Sequence, residues 1–515
     1  MITNRTFNFN SSNYLPAMSL FIGVDIGTTN IKVIAADESS AIVCGEKASY
    51  LMHQPQDGWC EQDAKEIFTA FVKVFKKVIA TIDVSQIKAV SFSSAFHSVM
   101  AVDKNGEPLT PVLTWADTRS NEYAKQLKQS GRWKIIYEKT GTPIHPMSPL
   151  CKIAWIRDHM PVIFSKTYKF ISVKEYIWFK LLGKFQVDHS VASASCLFDS
   201  KNKKWCDESL AFCGINLSHL SEPVSVLHTE SILADEYSKE FNLAADTLFV
   251  AGAGDGATAN LGCGAISPGI AALTIGTSGA IRIATEQSLR HDNGSLFSYV
   301  LADNLFVNGG PINNGGIVLQ WFLQTFLQKQ ITSEDDYDWL FKEAAEIKEG
   351  ADGLLFLPYI LGERAPVWDA DAKGVFIGIR SNHTIKHFMR AAIEGVCFAL
   401  LQVLKLIEEK STINVLYATG GFTQSPLWLQ MLADILNKKI RVINNADASA
   451  TGAVYMGMRA AGCIKDWDEI RKFSLPEKEI IPDPGKQDAY QKYFKIYSHL
   501  YEKLKDDFEL LSQKN

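Results

Sequence analysis

The chain has 515 residues, a hydrophobic fraction of 47% and a formal net charge of −5, enough for about two to four domains with sizeable cores. The negative balance argues against nucleic acid or an anionic membrane as the main partner, so any anionic substrate must meet positive charge concentrated locally. No segment approaches the roughly 20 apolar residues that span a bilayer, and the nine cysteines, without CxxC or zinc spacing, fit reduced thiols in a cytoplasmic protein.

Residues 1–19 read as a flexible tail: the first 17 are polar and rich in Asn and Ser, without the apolar centre of a secretion signal. Met18 directly precedes the first convincing strand, so starts at Met1 and Met18 both stay open. Residues 20–25 and 31–36 form a hairpin with a polar tip. A helix follows over 64–79, then a strand over 87–92, and this alternation implies an α/β fold. Near residue 250 the pattern restarts. A strand over 248–251 enters a Gly-rich segment, and residues 271–283 repeat the strand–turn–strand layout. A third Gly turn, Gly420-Gly421, lies between a strand over 414–417 and a helix over 426–436. From about residue 486 the chain is charged and helix-like.

Phosphate oxygens are held best by backbone N–H groups that approach closely, which favours Gly and small hydroxyl residues in turns. The first turn offers Gly27, Thr28 and Thr29 with Lys32 beside them. Asp25 ends its strand where it can organise Mg2+ through water. The second turn offers Gly276, Thr277 and Ser278. Either alone is an ordinary hairpin. Ile26-Gly27-Thr28-Thr29 and Ile275-Gly276-Thr277-Ser278 are near copies, each opening half of the chain, and this favours a duplicated phosphate-binding unit. No GxxxxGK[ST] is present. Gly252-x-Gly254-x-x-Ala257 fits the dinucleotide fingerprint but lacks the acidic residue about 20 positions on. Asp255, between Gly254 and Gly256, reads equally as a helix cap and as the base that phosphoryl transfer needs near the attacking hydroxyl.

Two long patterns add to these turns: Met147-x-Pro149-x-x-Lys152-Ile153-x-Trp155-Ile156-x-Asp158-His159, and Gly374-x-Phe376-x-Gly378-Ile379 followed by His387-Phe388-x-x-Ala391-Ala392-Ile393-Glu394. In this order they resemble the signatures of the FGGY carbohydrate kinase family. The resemblance implies an α/β chain of two ribonuclease H-like domains, over 20–268 and 269–515, with an interdomain cleft as in the actin, hexokinase and Hsp70 ATPases. It implies Mg-ATP at Asp25 and the first turn, at Gly276-Thr277-Ser278, at Gly420-Gly421, and at Gly316, Gln320 and Ser425. It favours Asp255 as the catalytic base over the cap.

The family's substrate strip matches Ser94-Ala95-Phe96-His97-Ser98 and Trp115-Ala116-Asp117-Thr118-Arg119. With residues 144–149 and Gly362-Glu363-Arg364-Ala365-Pro366 the strip looks most like the gluconokinase branch, which implies transfer from ATP to the C6 hydroxyl of D-gluconate. A carboxylate substrate calls for a cationic or protonatable partner, and His97, Arg119, His145, Lys152 and Arg364 are the candidates. Phe96, His97, Trp115 and Asp117 are expected at the substrate, with Arg119, His145 and Lys152 as further candidates. Each has a plainer reading: Lys152 as a helix packing residue, Arg119 as the partner of Asp117 across a turn, a histidine as a satisfied packing group. The expected partner is a small sugar or sugar acid, with no nucleic acid and no membrane; a homodimer is left open. The competing functions are a ketopentose or polyol kinase and an actin- or chaperone-like ATPase. A sugar-sensing repressor is set aside, because too few residues precede Leu20 for a helix-turn-helix.

Overall fold

The computed structural model describes residues 18–302, 304–329, 335–445 and 447–512. The expected tail lies outside the described residues up to residue 17.

Leu20–Ile26 (β1) is an apolar strand with all but one side chain buried. It forms an antiparallel meander with Asn30–Asp37 (β2) and Ile42–Ser49 (β3). Ile87–Ser94 (β4) joins its other edge in parallel, and Leu248–Gly254 (β5) adds in parallel beyond that. The order is β3-β2-β1-β4-β5, with the short strand Thr229–Glu230 outside β5. Parallel strands need cover on both faces. The helix Ala64–Ile79 (α1), capped by Asp63 through Lys65 N at 2.7 Å, turns Ile67, Phe71, Val74 and Val78 into one core with Ile22, Val24 and Phe92. Between β4 and β5 the chain makes a separate helical packing unit around Pro149–His159 (α2). After β5 comes Asp255–Gly262 (α3).

The second sheet repeats this plan. Ile270–Ile275 (β6), Gly279–Thr285 (β7), Phe297–Ala302 (β8), Leu305–Ile312 (β9), Val415–Thr419 (β10), Lys439–Ile443 (β11) and Pro476–Ile480 (β12) order as β8-β9-β7-β6-β10-β11-β12. Its inner five strands, β9-β7-β6-β10-β11, match the first sheet in order and in direction. The helices Gly316–Thr325 (α4), Ile385–Glu408 (α5) and Pro426–Leu436 (α6) pack on it, together with Ala448–Ala460 (α7) and Gln487–Ser512 (α8). The twice-used five-strand unit is the duplicated ribonuclease H-like α/β fold that the family resemblance implied.

Helices α3 and α7 follow equivalent strands, β5 and β11, and cross each other at the junction of the halves. Their backbones meet at glycines: a Cβ at Gly452 would run into the Thr258 carbonyl, and one at Gly262 into the Ala448 carbonyl. Helix α7 also lies on the first sheet. There Val454 and Met458 share a core cluster with Phe21, Ala89 and Val250. The cleft opens beside this crossing.

Candidate active site

Each phosphate-type turn is fixed from behind. In the first, Gly27 N donates to Asn30 O at 3.0 Å, and the Tyr50 hydroxyl donates to Gly27 O. Thr28 Oγ1 accepts from Trp115 Nε1 at 2.9 Å, and Thr28 O accepts from Gln62 Nε2 at 2.6 Å. Thr29 is exposed at the tip. In the second turn Gly276 N donates to Ser278 O at 2.8 Å. Gly276 O accepts from Gly316 N at 2.8 Å and Thr277 O from Gly315 N at 3.1 Å, docking the turn onto the start of α4. Gly420 has φ +112, a conformation that favours glycine, and a Cβ at Gly421 would meet only open space. Ser425 caps α6 by accepting from Trp428 N at 3.4 Å.

Thr28, Gly276, Ser278, Gly420 and Gly421 line one cleft of about 510 Å³ between the two sheets, and Asp25, Lys32 and Asp255 face the same space. Gly27, Thr29, Thr277, Gly316, Gln320 and Ser425 do not line it. Gly27, Thr29, Thr277 and Gly316 belong to the turns or their support, Ser425 caps a helix, and Gln320 is half-buried one turn along α4. Lys32 is ion-paired with Asp447, just before α7.

Asp255 is the first residue of α3, with Gly254 in the cap position. The plainer cap reading therefore fails: the Asp255 carboxylate accepts from the adjacent Gly256 N, at 2.7 Å, and from the Phe96 backbone N–H, and faces the cleft. Burial raises its pKa, while the Gly256 N–H, Arg282 and Arg364 pull it back. Asp25 accepts from Ser93 Oγ at 2.8 Å. Burial, reinforced by Asp255, pushes the Asp25 carboxyl up to about 6.

The expected substrate residues divide. Phe96, His97 and Trp115 line the cleft. Phe96 lies against Gly254 and Tyr299. His97, at φ +67, has Nδ1 2.8 Å from Ala194 O and Nε2 3.4 Å from the Tyr299 hydroxyl. Burial first, then Lys152 and Arg364, bring its pKa down to about 3, so it meets a ligand as a neutral hydrogen-bonding ring and not as a cation.

Asp117, Arg119, His145 and Lys152 do not line the cleft. Asp117 is fully buried and accepts from Cys60 N at 2.7 Å and from Arg119 Nη2 at 2.7 Å. Arg119 also reaches Glu61 at 2.6 Å and lies over the Trp59 ring at 3.6 Å. This is the turn pairing that the sequence offered as the plainer reading. Lys152 spends its ammonium on backbone carbonyls, His97 O at 2.9 Å and Thr114 O at 2.6 Å. Burial lowers its pKa to about 7. It ties the strips around His97 and Thr114 to α2. His145 Nδ1 accepts from Met147 N at 3.2 Å, and its Nε2 is buried without a partner. Burial holds its pKa well below the usual histidine range.

Arg364 does reach the cleft. Its guanidinium lies 4.8 Å from the Trp115 ring centroid, its Nη2 donates to Ile312 O at 3.3 Å, and its Nε has no partner. Arg282, Tyr299 and Asp447 also line the cleft, though no motif marks them. A signal for Arg282 existed: in the apolar strand Ala280-Ile281-Arg282-Ile283, alternate residues share a face, and a charge there needs a reason.

Two matched α/β halves that bring Gly-Thr turns and the Asp255 carboxylate to one cleft define an ATP-dependent phosphotransferase of the actin–hexokinase type. Residues 20–262 match the N-terminal domain of the FGGY family of carbohydrate kinases and residues 271–461 its C-terminal domain. The chain belongs to that family and is an ATP-dependent sugar kinase. It is 38% identical over 497 residues to the gluconokinase of Bacillus subtilis (strain 168), covering 95% of this chain and 97% of that one. It is 30% identical over 492 residues to a xylulose kinase of Staphylococcus epidermidis, covering 94% and 97%. Two solved structures from Lactobacillus acidophilus, described as a gluconate kinase and as a ligand-bound xylulose kinase, each match with a TM-score of 0.91 at 32% identity, over 96% of this chain and 100% of theirs. Among the described residues no helix is long and apolar enough to cross a membrane.

Proposed function

We propose that this kinase transfers the γ-phosphoryl group of ATP to the C6 hydroxyl of D-gluconate, giving 6-phospho-D-gluconate in the cytoplasm. The observation that carries the reading is Asp255, which stands in one cleft with both phosphate-type turns and with two guanidinium groups, Arg282 and Arg364, that form no ion pair in the described structure. Among the competing acceptors, only a sugar acid brings those charges an anion besides the nucleotide phosphates. The similarity to gluconokinases supports the same choice.

In this mechanism residues 20–268 hold the sugar and residues 269–515 the adenosine side of ATP. The N–H groups of the two Gly-Thr turns and of Gly420-Gly421 orient the phosphates. His97 and Trp115 position the polyol chain so that the C6 hydroxyl meets the Asp255 carboxylate, which accepts its proton as the oxygen attacks. Closure of the halves excludes water, the competing acceptor.

The residues present fit Mg2+. Asp25 and Asp255 are carboxylates close enough that Asp255 raises the Asp25 pKa. Mg2+ takes one or two carboxylates and keeps its water, a demand these two groups can meet. Bound at Asp25, it would neutralise charge on the β- and γ-phosphates.

A ketopentose is the second reading, favoured by the equal similarity to the structure described as a xylulose kinase. An ADP-release assay across gluconate, xylulose, ribulose and glycerol tests both. Gluconate should give the highest kcat/KM; a higher value for xylulose would replace it.

A further inference from the structure

We propose that Arg282 reads the negative charge of the acceptor and thereby sets the preference for a sugar acid over a neutral sugar; this rests on the gluconate reading above. Three cationic side chains line the cleft: Lys32, Arg282 and Arg364. Lys32 is paired with Asp447. Arg364 follows the buried Glu363, whose carboxylate offsets its charge. Arg282 faces the Asp255 carboxylate, whose charge acts on it through space, but it makes no ion pair in the described structure. Its Nε donates to Asn260 Oδ1 at 3.0 Å and its Nη2 to Thr274 Oγ1 at 3.2 Å, both neutral acceptors.

Asn260 is itself held, donating from Nδ2 to Ala265 O at 3.2 Å and back to Arg282 O at 3.4 Å. These bonds occupy one edge of the guanidinium, and Nη1 meets no protein acceptor among the described residues. Arg282 is only 9% exposed, and a buried charge without an ion-pair partner is costly. A rigid guanidinium with an open fork is a geometric match for a carboxylate.

Two anions enter this cleft, the nucleotide phosphates and the substrate carboxylate, and the contact with Gly256, beside Asp255, favours the second. The Arg282 guanidinium reaches Thr274, on the strand that leads into Gly276. The stem of the side chain passes Gly256, where an added Cβ would stand 3.7 Å from Arg282 Cδ. It thus faces Asp255 without a hydrogen bond to it. A six-carbon acid needs that arrangement, with its reacting hydroxyl at the carboxylate and its acid group at the guanidinium. Arg282 comes from the second half and His97 and Trp115 from the first, so the acid bridges the cleft and favours its closure.

The test compares Arg282→Gln and Asn260→Asp with the parent enzyme, measuring kcat and KM for D-gluconate, for neutral D-xylulose and for ATP, with a melting curve for each protein. Arg282→Gln should raise the gluconate KM about 100-fold more than the xylulose KM and leave KM for ATP near the parent value, while the loss of its charge beside Asp255 moves the acid limb of turnover alike on both acceptors. Asn260→Asp keeps the arginine but gives it an acid, and should reproduce the gluconate loss even where the first variant folds poorly. An unchanged ratio of the gluconate KM to the xylulose KM in both variants overturns the assignment, as does a matching rise in KM for ATP, which would put Arg282 on the nucleotide phosphates. A parent enzyme that ignores gluconate would instead bring down the substrate reading itself, before any variant is made.

Discussion

Asp255 and Asp25 are neighbouring carboxylates with different tasks, and their environments separate them. The Asp255→Asn variant should lose about 10³-fold or more in kcat, the range that a positioned base supplies, while nucleotide titration shows ATP affinity within a few-fold of the parent; near-normal turnover would remove the base assignment. Because burial raises the Asp255 pKa and the base must be ionised, the acid limb of kcat/KM should lie above the ordinary aspartate value, with Asp25 and Asp255 titrating as a pair. Asp25 carries a stability cost. Its carboxyl is raised from 3.8 to about 6, so the ionised form is less favourable folded than unfolded. The penalty is absent below the ordinary value, grows as pH rises through that interval, and is complete above it. Asp25→Asn should therefore melt higher than the parent at pH 8, by on the order of 3 kcal/mol at most, and lose the advantage below pH 4. A melting series against pH checks this, and equal curves at pH 8 would show that Asp25 is not strained in the free enzyme. The sequence brought both aspartates forward because each ends an apolar strand at a Gly turn. It left Asp117 and Arg119 open between two readings, since a buried ion pair and a substrate clamp use the same residues.

Elements were legible where one strand or helix carries its own pattern. The helices over 64–79 and 426–436 have the bounds their apolar spacing and caps predict, and the two hairpins differ from expectation only at their ends. The crossing of α3 with α7 was not legible, because Gly262 and Gly452 stand in ordinary helical sequence and their necessity comes from a carbonyl on the other helix. Gly452→Ala should destabilise the protein by about 2 kcal/mol or more through overpacking, whereas Gly421→Ala, pointing into open space, should leave the melting temperature unchanged. Equal melting of both variants would mean that the helices can part without cost.

At the scale of the whole molecule the halves are not independent. Helix α7 belongs by sequence to the second half, yet it covers Phe21, Ala89 and Val250 of the first sheet. Residues 1–268 expressed alone should expose that apolar face and aggregate or unfold without cooperativity, and co-expression of 269–515 should restore a soluble complex. A soluble fragment with a sharp melting transition would show that α7 is dispensable to the first half. The sequence by itself determined the class: the duplicated Gly-Thr turns, Asp255 between glycines and the two long family patterns are local or periodic features, readable wherever the rest of the chain goes. Only the tertiary structure decided which charges face the cleft. It spent Arg119 on Asp117 and Lys152 on backbone carbonyls, and left Arg282 and Arg364 open to a ligand. Whether a cation finds its partner inside the protein depends on contacts between residues distant in sequence, and no local pattern encodes those.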